Sequence, residues 1–369
     1  MSDSLLPPIE EVPAAHLIGR DLDRGWRVQE RVAKDAGATG GCFSVSYLVS
    51  DETGSTAFMK ALNFHAALDG DGDIVDQLHA FTEVFKFERD LLCDCRDKRM
   101  SRVITLIDSG TVEVPEAGPF LSQVPYLIFE KADGDIRGFQ AQAGSFDCAW
   151  GFRVMKHAIQ GIGQLHSARA AHQDLKPSNV LTLDGGREMK LGDLGRAERR
   201  EVEGPWSEHR IPGAVAYAPP EQQYGAFGRT WEERRAADLY LAGSLGVQLF
   251  LGHCLSVLLQ QGMPREARFS HWQGTFEDVL PHLYHAHSGV MTELHDEVLR
   301  KTADPDSTER FVAAVMQMTD PDPLRRGHPK DRAAQTSSYS VQRFTSQMEL
   351  LAKRAEMRLI GKSLDGPAC

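Results

Sequence analysis

The chain has 369 residues, six cysteines and a formal net charge of −11. This length predicts one large domain or two of medium size, and the acidic balance argues against general nucleic-acid binding, which requires a basic face. The cysteine spacings match no common zinc pattern. Because the first eleven residues also lack an apolar signal core, we expect reduced thiols and a cytoplasmic location.

The first predicted strand follows a glycine-rich stretch. Residues 1–20 are predicted to form a flexible lead-in. Apolar and polar residues then alternate from Phe43 to Val49, as in a strand, directly after Gly40 and Gly41. Glycines allow backbone N–H groups to approach phosphate oxygens closely. By itself the stretch predicts a plain hairpin turn, with a hairpin that covers a nucleotide as the alternative.

A lysine inside the next strand and a carboxylate on the following helix are predicted to form an ion pair. Lys60 lies in the apolar run 56–62, and the helix spans residues 73–95. The helix has an apolar stripe made of Ile74, Leu78, Phe81, Phe85 and Leu92. Glu88 falls on this stripe, whereas its rival Glu83 does not. Because a buried lysine needs a partner, we assign Glu88 to Lys60.

Two further strands, 102–110 and 124–129, precede the polar segment 130–135. A helix predicted over 150–168 then leads into the polar stretch 171–181, which we name the catalytic loop.

The catalytic loop concentrates the groups that phosphoryl transfer needs. Asp174 can accept a proton from an attacking hydroxyl, and Lys176 can neutralise phosphate charge during that attack. Asn179 offers a neutral oxygen ligand to a hard cation such as Mg²⁺. Pro177 interrupts any helix, so these groups are expected on a loop.

The C-terminal part contains one stretch without charge and one amphipathic helix. Residues 239–263 include no Asp, Glu, Lys or Arg, which is long enough to span a bilayer. Polar residues and glycines interrupt the stretch, so we favour a buried helix of a large domain. After a polar linker, residues 341–360 are predicted to form an amphipathic helix.

In this order, the segments resemble the protein kinase family in its eukaryotic-like Ser/Thr form. Residues 171–181 resemble the motif H-R-D-x-K-P-x-x-N, and residues 189–195 resemble the D-F-G element with Leu for Phe. Residues 213–221 resemble G-T-x-x-Y-x-A-P-E, and residues 322–326 resemble D-P-x-x-R. The resemblance covers residues 24–328.

The resemblance implies an α+β, bilobal fold. Residues 21–129 would form a small antiparallel-sheet N-lobe with one regulatory helix, and residues 130–328 a larger, mostly helical C-lobe. Residues 329–369 would add the polar linker and the C-terminal helix. The implied cofactors are ATP and Mg²⁺ or Mn²⁺, and the implied partner is a protein substrate.

The resemblance also implies a role for each matching residue. The catalytic residues would be Asp174, Lys176 and Asn179. The metal ligands would be Asn179 and Asp193. The ATP-binding residues would be Gly40, Gly41, Phe43, Lys60, Glu88, Glu130, Ala132 and Asp135. The structural residues would be His172, Glu221, Asp238 and Arg326, with Arg326 expected to pair with Glu221.

The chain departs from the family pattern at several positions. The glycine-rich loop is degraded, Gln173 replaces the Arg before the catalytic Asp, and Ala214 replaces a Thr. In the family that Arg usually pairs with a phosphorylated activation loop. Ser207 is the only Ser, Thr or Tyr between Gly195 and Gly213. We therefore predict activity without activation-loop phosphorylation.

Three alternatives stay open. The substitutions favour a pseudokinase or nucleotide-binding scaffold, although Lys60, Asp174, Asn179 and Asp193 are all present. A small-molecule phosphotransferase is disfavoured by Lys176 and by the Ala-Pro-Pro-Glu segment. A membrane-anchored receptor kinase would need an apolar segment outside the kinase region. We expect no nucleic-acid or membrane partner, and a C-terminal helix that docks on its own C-lobe or on a partner.

Overall fold

The computed structural model of the chain describes residues 12–33, 44–64, 73–117, 122–226, 228–334 and 337–364. Its contacts divide the chain into two compact units. The sheet unit comprises residues 1–100 and 104–132, and the helical unit comprises residues 101–103 and 133–369.

The sheet unit contains a five-stranded antiparallel sheet in the order β1-β2-β3-β5-β4. Its strands are β1 (Arg27–Arg31), β2 (Ser44–Ser50), β3 (Thr56–Leu62), β4 (Leu106–Glu113) and β5 (Gln123–Glu130). Alternate side chains of β2 are buried, among them Val45, Tyr47 and Val49. This alternation follows from the two-residue period of a strand with one face on the core.

The helix of the sheet unit, α1 (Ile74–Asp97), covers the stretch predicted to be helical. Asp73 caps its first turn, because its side chain accepts from the backbone N–H of Val75 at 2.8 Å. Glu88 is buried on α1 together with Leu91 and Leu92. The apolar stripe therefore places a carboxylate on the inner face of the helix.

Part of the predicted flexible lead-in is instead packed into the sheet unit. Val12, Ala14 and Leu17 are buried in the core. The Tyr47 hydroxyl donates to the Ala14 carbonyl at 2.6 Å. The prediction of flexibility is wrong for residues 12–20, because their apolar side chains find partners on a distant strand. Residues 1–11 lie outside the described part of the chain.

The helical unit contains nine described α-helices and five short strands. The helices are α2 (Ile136–Gln142), α3 (Cys148–Ser167), α4 (Pro220–Gln223), α5 (Trp231–Leu251), α6 (Leu255–Gly262), α7 (Phe276–Thr302), α8 (Pro305–Met318), α9 (Pro329–Ala333) and α10 (Gln342–Leu364). The strands are β6 (Gly134–Asp135), β7 (Ala170–Ala171), β8 (Val180–Leu183), β9 (Glu188–Leu191) and β10 (Glu198–Arg199). Strands β6, β8 and β9 form one small sheet, and β7 pairs with β10.

The central helix of the helical unit is α5. It begins with a capping box between Thr230 and Glu233 and ends at Gly252, whose φ of 81° suits a glycine. Most of its side chains are buried, as we expect for a core helix. None of the described helices is by itself long and apolar enough to cross a membrane; α5 and α6 pass that test only as a pair bent by 77°.

The C-terminal segment packs on the helical unit. The predicted amphipathic helix is present as α10, which contacts α3 and α8. Three of its side chains are fully buried: Phe344, Met348 and Leu351. The predicted polar linker contains the short helix α9 and is followed by the buried Tyr339, whose hydroxyl donates to the Pro323 carbonyl at 3.1 Å.

The predicted α+β fold class is confirmed: an antiparallel-sheet lobe with one described α-helix, and a larger, mostly helical lobe.

Candidate active site

Asp238 anchors the catalytic loop to α5. Its carboxylate is fully buried and accepts from the backbone N–H groups of His172 and Gln173, both at 2.8 Å. His166 Nε2 lies 2.9 Å from Asp238 Oδ2. Burial tends to raise the pKa of Asp238, but the hydrogen bond and charge of His166 outweigh it, so the pKa lies below its ordinary value. The ionised carboxylate thus holds the two residues before Asp174.

Gln173 serves as an internal anchor of the loop. It is buried and has a φ of 61°, in the left-handed region that costs a non-glycine residue energy. Its Nε2 donates to Asp238 Oδ1 at 2.9 Å and to the Arg234 carbonyl at 2.8 Å. The amide is therefore directed into the protein and contributes no charge to the site.

Three groups hold the carboxylate of Asp174. Lys176 Nζ donates to Oδ2 at 2.6 Å, and Asn179 Nδ2 donates to the same oxygen at 3.2 Å and to the Asp174 carbonyl at 2.8 Å. The backbone N–H of Ala214 donates to Oδ1 at 2.8 Å. The structure thus brings the three predicted catalytic residues together and fixes the direction of the carboxylate.

The backbone at Gly213 and Ala214 contributes to the site in a way that sequence reasoning missed. A Cβ atom at Gly213 would lie 2.7 Å from Asp174 Oδ1 and would collide with the Gln173 carbonyl. Only glycine allows this close approach. Ala214 lacks the hydroxyl that the resemblance implied, but its N–H binds Asp174. A backbone donor has no signature in the side-chain sequence.

Asp193 follows β9 next to the catalytic loop. The N–H of Gly192 donates to the Asn179 carbonyl at 2.9 Å, which places Asp193 one residue from that contact. Asp193 is half-buried with a φ of 56°, and Leu194 is fully buried. The buried leucine therefore fixes the turn that carries the Asp193 carboxylate.

Asn179 and Asp193 form a donor set that fits a hard cation. They offer one amide oxygen and one carboxylate, which are ligand types that Mg²⁺ accepts. Asn179 uses its Nδ2 on Asp174, and its Oδ1 accepts from Ser178 Oγ at the longer distance of 3.3 Å. Within the described ranges, no group of three or more His, Cys, Asp or Glu side chains could hold a metal.

The predicted ion pair of the sheet unit is present. Lys60 Nζ lies 3.8 Å from Glu88 Oε1, and the two side chains are 29% and 12% exposed. The rival Glu83 pairs instead with Lys86 at 3.0 Å. Lys60 Nζ also lies 6.0 Å from the ring centroid of Phe129. The helical stripe thus identified the partner correctly.

The other predicted nucleotide-binding residues have mixed outcomes. Glu130 ends β5, and its Oε1 accepts from the N–H of Thr105 at 2.7 Å; Ala132 follows and is half-buried. Asp135 caps α2 and accepts from Arg137 Nη2 at 2.6 Å, so it has a structural function, and its contact with ribose stays a prediction. Three residues lie outside the described part of the chain: Gly40, Gly41 and Phe43.

The predicted structural pair of Glu221 and Arg326 is buried and bidentate. Arg326 Nη1 and Nη2 each lie 2.6 Å from one carboxylate oxygen of Glu221. Arg326 also donates from Nε to the Asp320 carbonyl at 2.8 Å and lies over the Tyr240 ring. The pair ties the start of α4 to the segment between α8 and α9.

Sequence reasoning missed a second buried ion pair, between Glu198 and Arg234. The two side chains are 1% and 7% exposed, and Arg234 Nη1 lies 3.5 Å from Glu198 Oε1. Burial raises the pKa of Glu198 and lowers that of Arg234, so desolvation opposes the pair. One signal was available: Arg234 lies one helical turn before Asp238 and shares its face.

Comparisons with known proteins identify the family of the chain. The family model described as "Protein kinase domain" matches residues 40–319. The "Serine/threonine-protein kinase PkaA" of Streptomyces coelicolor is 26% identical over 249 residues, which is 65% of this chain and 39% of that protein. The "Probable serine/threonine-protein kinase PknB" of Lactococcus lactis is 24% identical over 236 residues, 63% of this chain and 35% of that protein.

A third relative, the "Probable cyclin-dependent kinase 8" of Dictyostelium discoideum, is 33% identical over 132 residues, which is 34% of each chain. The matched stretches thus cover only about a third to two fifths of these relatives. Since the family model spans more than half of the chain, this chain belongs to the protein kinase family.

Proposed function

We propose that the chain transfers the γ-phosphoryl group of ATP to Ser or Thr hydroxyls of protein substrates. The observation that carries this proposal is the arrangement around Asp174, whose carboxylate is held by Lys176, Asn179 and the Ala214 N–H. The names of the relatives support the Ser/Thr acceptor.

The proposed chemistry assigns one task to each side chain. Asp174 orients the acceptor hydroxyl and takes its proton as the oxygen attacks phosphorus. Lys176 has two further N–H donors besides the one on Asp174 and offers them to the transferring group. Asn179 and Asp193 would hold Mg²⁺, and Mg²⁺ bound to ATP supplies charge neutralisation for the leaving phosphate. Lys60, held by Glu88, would bind the α- and β-phosphates.

The reaction is tested by incubating the purified chain with ATP, Mg²⁺ and a pool of Ser/Thr peptides, with mass-spectrometric readout. We expect phosphate transfer by the wild type and a loss of at least about 100-fold in Asp174→Asn, the range that general-base catalysis supplies. Asp184→Asn is the matched control, because Asp184 is an exposed carboxylate on the β8–β9 turn with a φ of 50° that Asn also adopts. Equal activity in all three proteins would contradict the assignment.

The alternative, a nucleotide-binding scaffold, is an outcome of the same experiment. A wild type that is stabilised against heat by ATP with Mg²⁺ but transfers no phosphate would support the scaffold. If Asp193→Asn removed that stabilisation, the proposed metal site would stand without the reaction. A wild type that neither transfers phosphate nor is stabilised by ATP with Mg²⁺ would overturn both the transfer reaction and the scaffold.

We also propose that activity does not depend on a phosphorylated activation loop. The neutral Gln173 amide is already bound to Asp238 and Arg234, which supports the proposal. The test is peptide mapping of the active protein. Stoichiometric phosphate on Ser207, together with loss of activity after phosphatase treatment, would contradict it.

A further inference from the structure

The activation segment, residues 193–221, is attached to α5 by a network of charged and polar protein groups. We propose that the ion pair of Glu198 and Arg234 is a permanent clamp that keeps this segment folded, and that added negative charge on Ser207 opens the clamp. The proposal rests on the proposed function only for its catalytic readout, since the clamp itself is a structural device.

The clamp joins the segment to α5 at two places. Glu198 lies on β10, which pairs with β7 immediately before the catalytic loop. Arg234 Nη1 lies 3.5 Å from Glu198 Oε1, and Arg234 Nη2 donates to the Ser207 carbonyl at 3.1 Å. One cation on α5 therefore binds two parts of the segment that lie nine residues apart in sequence.

Ser207 closes the network. Its hydroxyl donates to Glu198 Oε2 at 2.7 Å and accepts from the Gly204 N–H at 2.7 Å. The neighbouring Trp206 donates from Nε1 to the Gly195 carbonyl at 2.7 Å, and the Arg196 guanidinium lies 3.5 Å from its ring centroid. The turn that contains Ser207 is thus bound both to Glu198 and to the start of the segment beside Asp193.

The clamp is connected to the catalytic loop through the same helix. The carbonyl of Arg234 accepts from Gln173 Nε2 at 2.8 Å, and Asp238, one turn later, anchors the loop backbone. At its far end the segment binds Asp174 directly through the Ala214 N–H. Arg234 and Asp238, one turn apart on α5, therefore hold the activation segment and the catalytic loop that carries Asp174.

Charge explains why phosphate is unnecessary here. Phosphorylation orders an activation loop by pairing a new dianion with arginine. Arg234 binds this segment from α5, and Glu198 already supplies its counter-charge. A negative group on Ser207 would lie beside the Glu198 carboxylate, where like charges in a buried site repel strongly. Charge on Ser207 should therefore release the segment.

The experiment compares Glu198→Gln and Ser207→Asp with the wild type. The matched control is Glu208→Gln, which removes an exposed carboxylate of the same segment that pairs with Arg229. The readouts are the rate of tryptic cleavage after Arg200, kcat for a peptide acceptor, and ATP affinity.

We expect cleavage at least about tenfold faster in both variants, corresponding to about 1.4 kcal/mol in the opening equilibrium. The value of kcat should fall by a similar factor, while the affinity for ATP measured without Mg²⁺, to which Asp193 does not contribute, stays within twofold of the wild type. A purely structural defect would lower ATP affinity and the melting temperature as well. The control should match the wild type in every readout.

Two results would overturn the clamp: wild-type cleavage rates in Glu198→Gln, or a rise in kcat in Ser207→Asp. If Glu198→Gln folds poorly, Ser207→Ala gives a second test, since it removes the hydrogen bond to Glu198 without adding charge and should accelerate cleavage less than Ser207→Asp. A wild type without transferase activity would defeat the proposed function, whereas the cleavage rates would still decide the clamp.

Discussion

Replacing Glu221 by leucine should cost more stability than replacing Arg326 by methionine, although each change breaks the same ion pair. Both side chains are almost fully buried, and two N–O distances of 2.6 Å join them. Charges about 4 Å apart attract by about 4 kcal/mol at an effective dielectric constant of about 20, and desolvation of the two ions costs a similar amount. The intact pair therefore contributes almost nothing to the free energy of unfolding, whereas a buried charge left without its partner lowers that free energy.

The asymmetry comes from proton chemistry. Without Glu221, the buried guanidinium cannot lose its proton, so Glu221→Leu should cost about 3–5 kcal/mol of unfolding free energy. Without Arg326, the carboxylate of Glu221 can be neutralised by protonation, which limits the loss.

The assay is urea unfolding followed by tryptophan fluorescence, since four of the five tryptophans lie in the helical unit. The double variant Glu221→Leu/Arg326→Met should recover about 2 kcal/mol relative to the sum of the single losses. Recovery stays incomplete, because the Asp320 carbonyl loses the Nε donor of Arg326. Single losses that add within about 0.5 kcal/mol would refute the reasoning.

Two further predictions concern the helical unit. Burial lowers the pKa of His287 from its ordinary 6.5 to about 4. The free energy of unfolding should therefore be unaffected by this residue above pH 6.5 and should decrease as pH falls from 6.5 toward 4, because the unfolded chain binds the proton first. In His287→Gln this decrease of the unfolding free energy, up to about 3 kcal/mol, should disappear from unfolding curves measured between pH 4 and 6.5. A variant with the same pH dependence as the wild type would contradict the prediction. Gly213→Ala should lower phosphate transfer at least about tenfold, because its Cβ collides with the Gln173 carbonyl and must displace the catalytic loop. Gly289→Ala, where a Cβ meets open space on α7, is the control and should retain activity; equal activity of the two variants would show that the loop adapts.

Local sequence patterns predicted much of the candidate site. The helical period placed Glu88 on the stripe that faces Lys60, and the structure pairs them. The residue types of the catalytic loop predicted Asp174, Lys176 and Asn179, which lie within a few residues of one another and therefore meet without help from the fold. The spacing of residues along the chain determines such short-range contacts, so the sequence can predict them.

Patterns failed where partners are distant or carry no side-chain signature. Residues 12–20 were predicted to be flexible, yet the Ala14 carbonyl accepts a hydrogen bond from Tyr47 because the fold brings the two segments together. The donor to Asp174 Oδ1 is a backbone N–H, which is the same chemical group at almost every position.

The sequence by itself determined which side chains carry the chemical groups that the proposed phosphoryl transfer needs and in what order they occur, because those properties depend on side-chain chemistry and local spacing. The tertiary structure alone decided what Gln173 and Arg234 do. They are 61 residues apart in sequence, and their contact exists only because α5 passes behind the catalytic loop. That packing makes the Gln173 amide an anchor of the catalytic loop and brings Arg234 into contact with the activation segment.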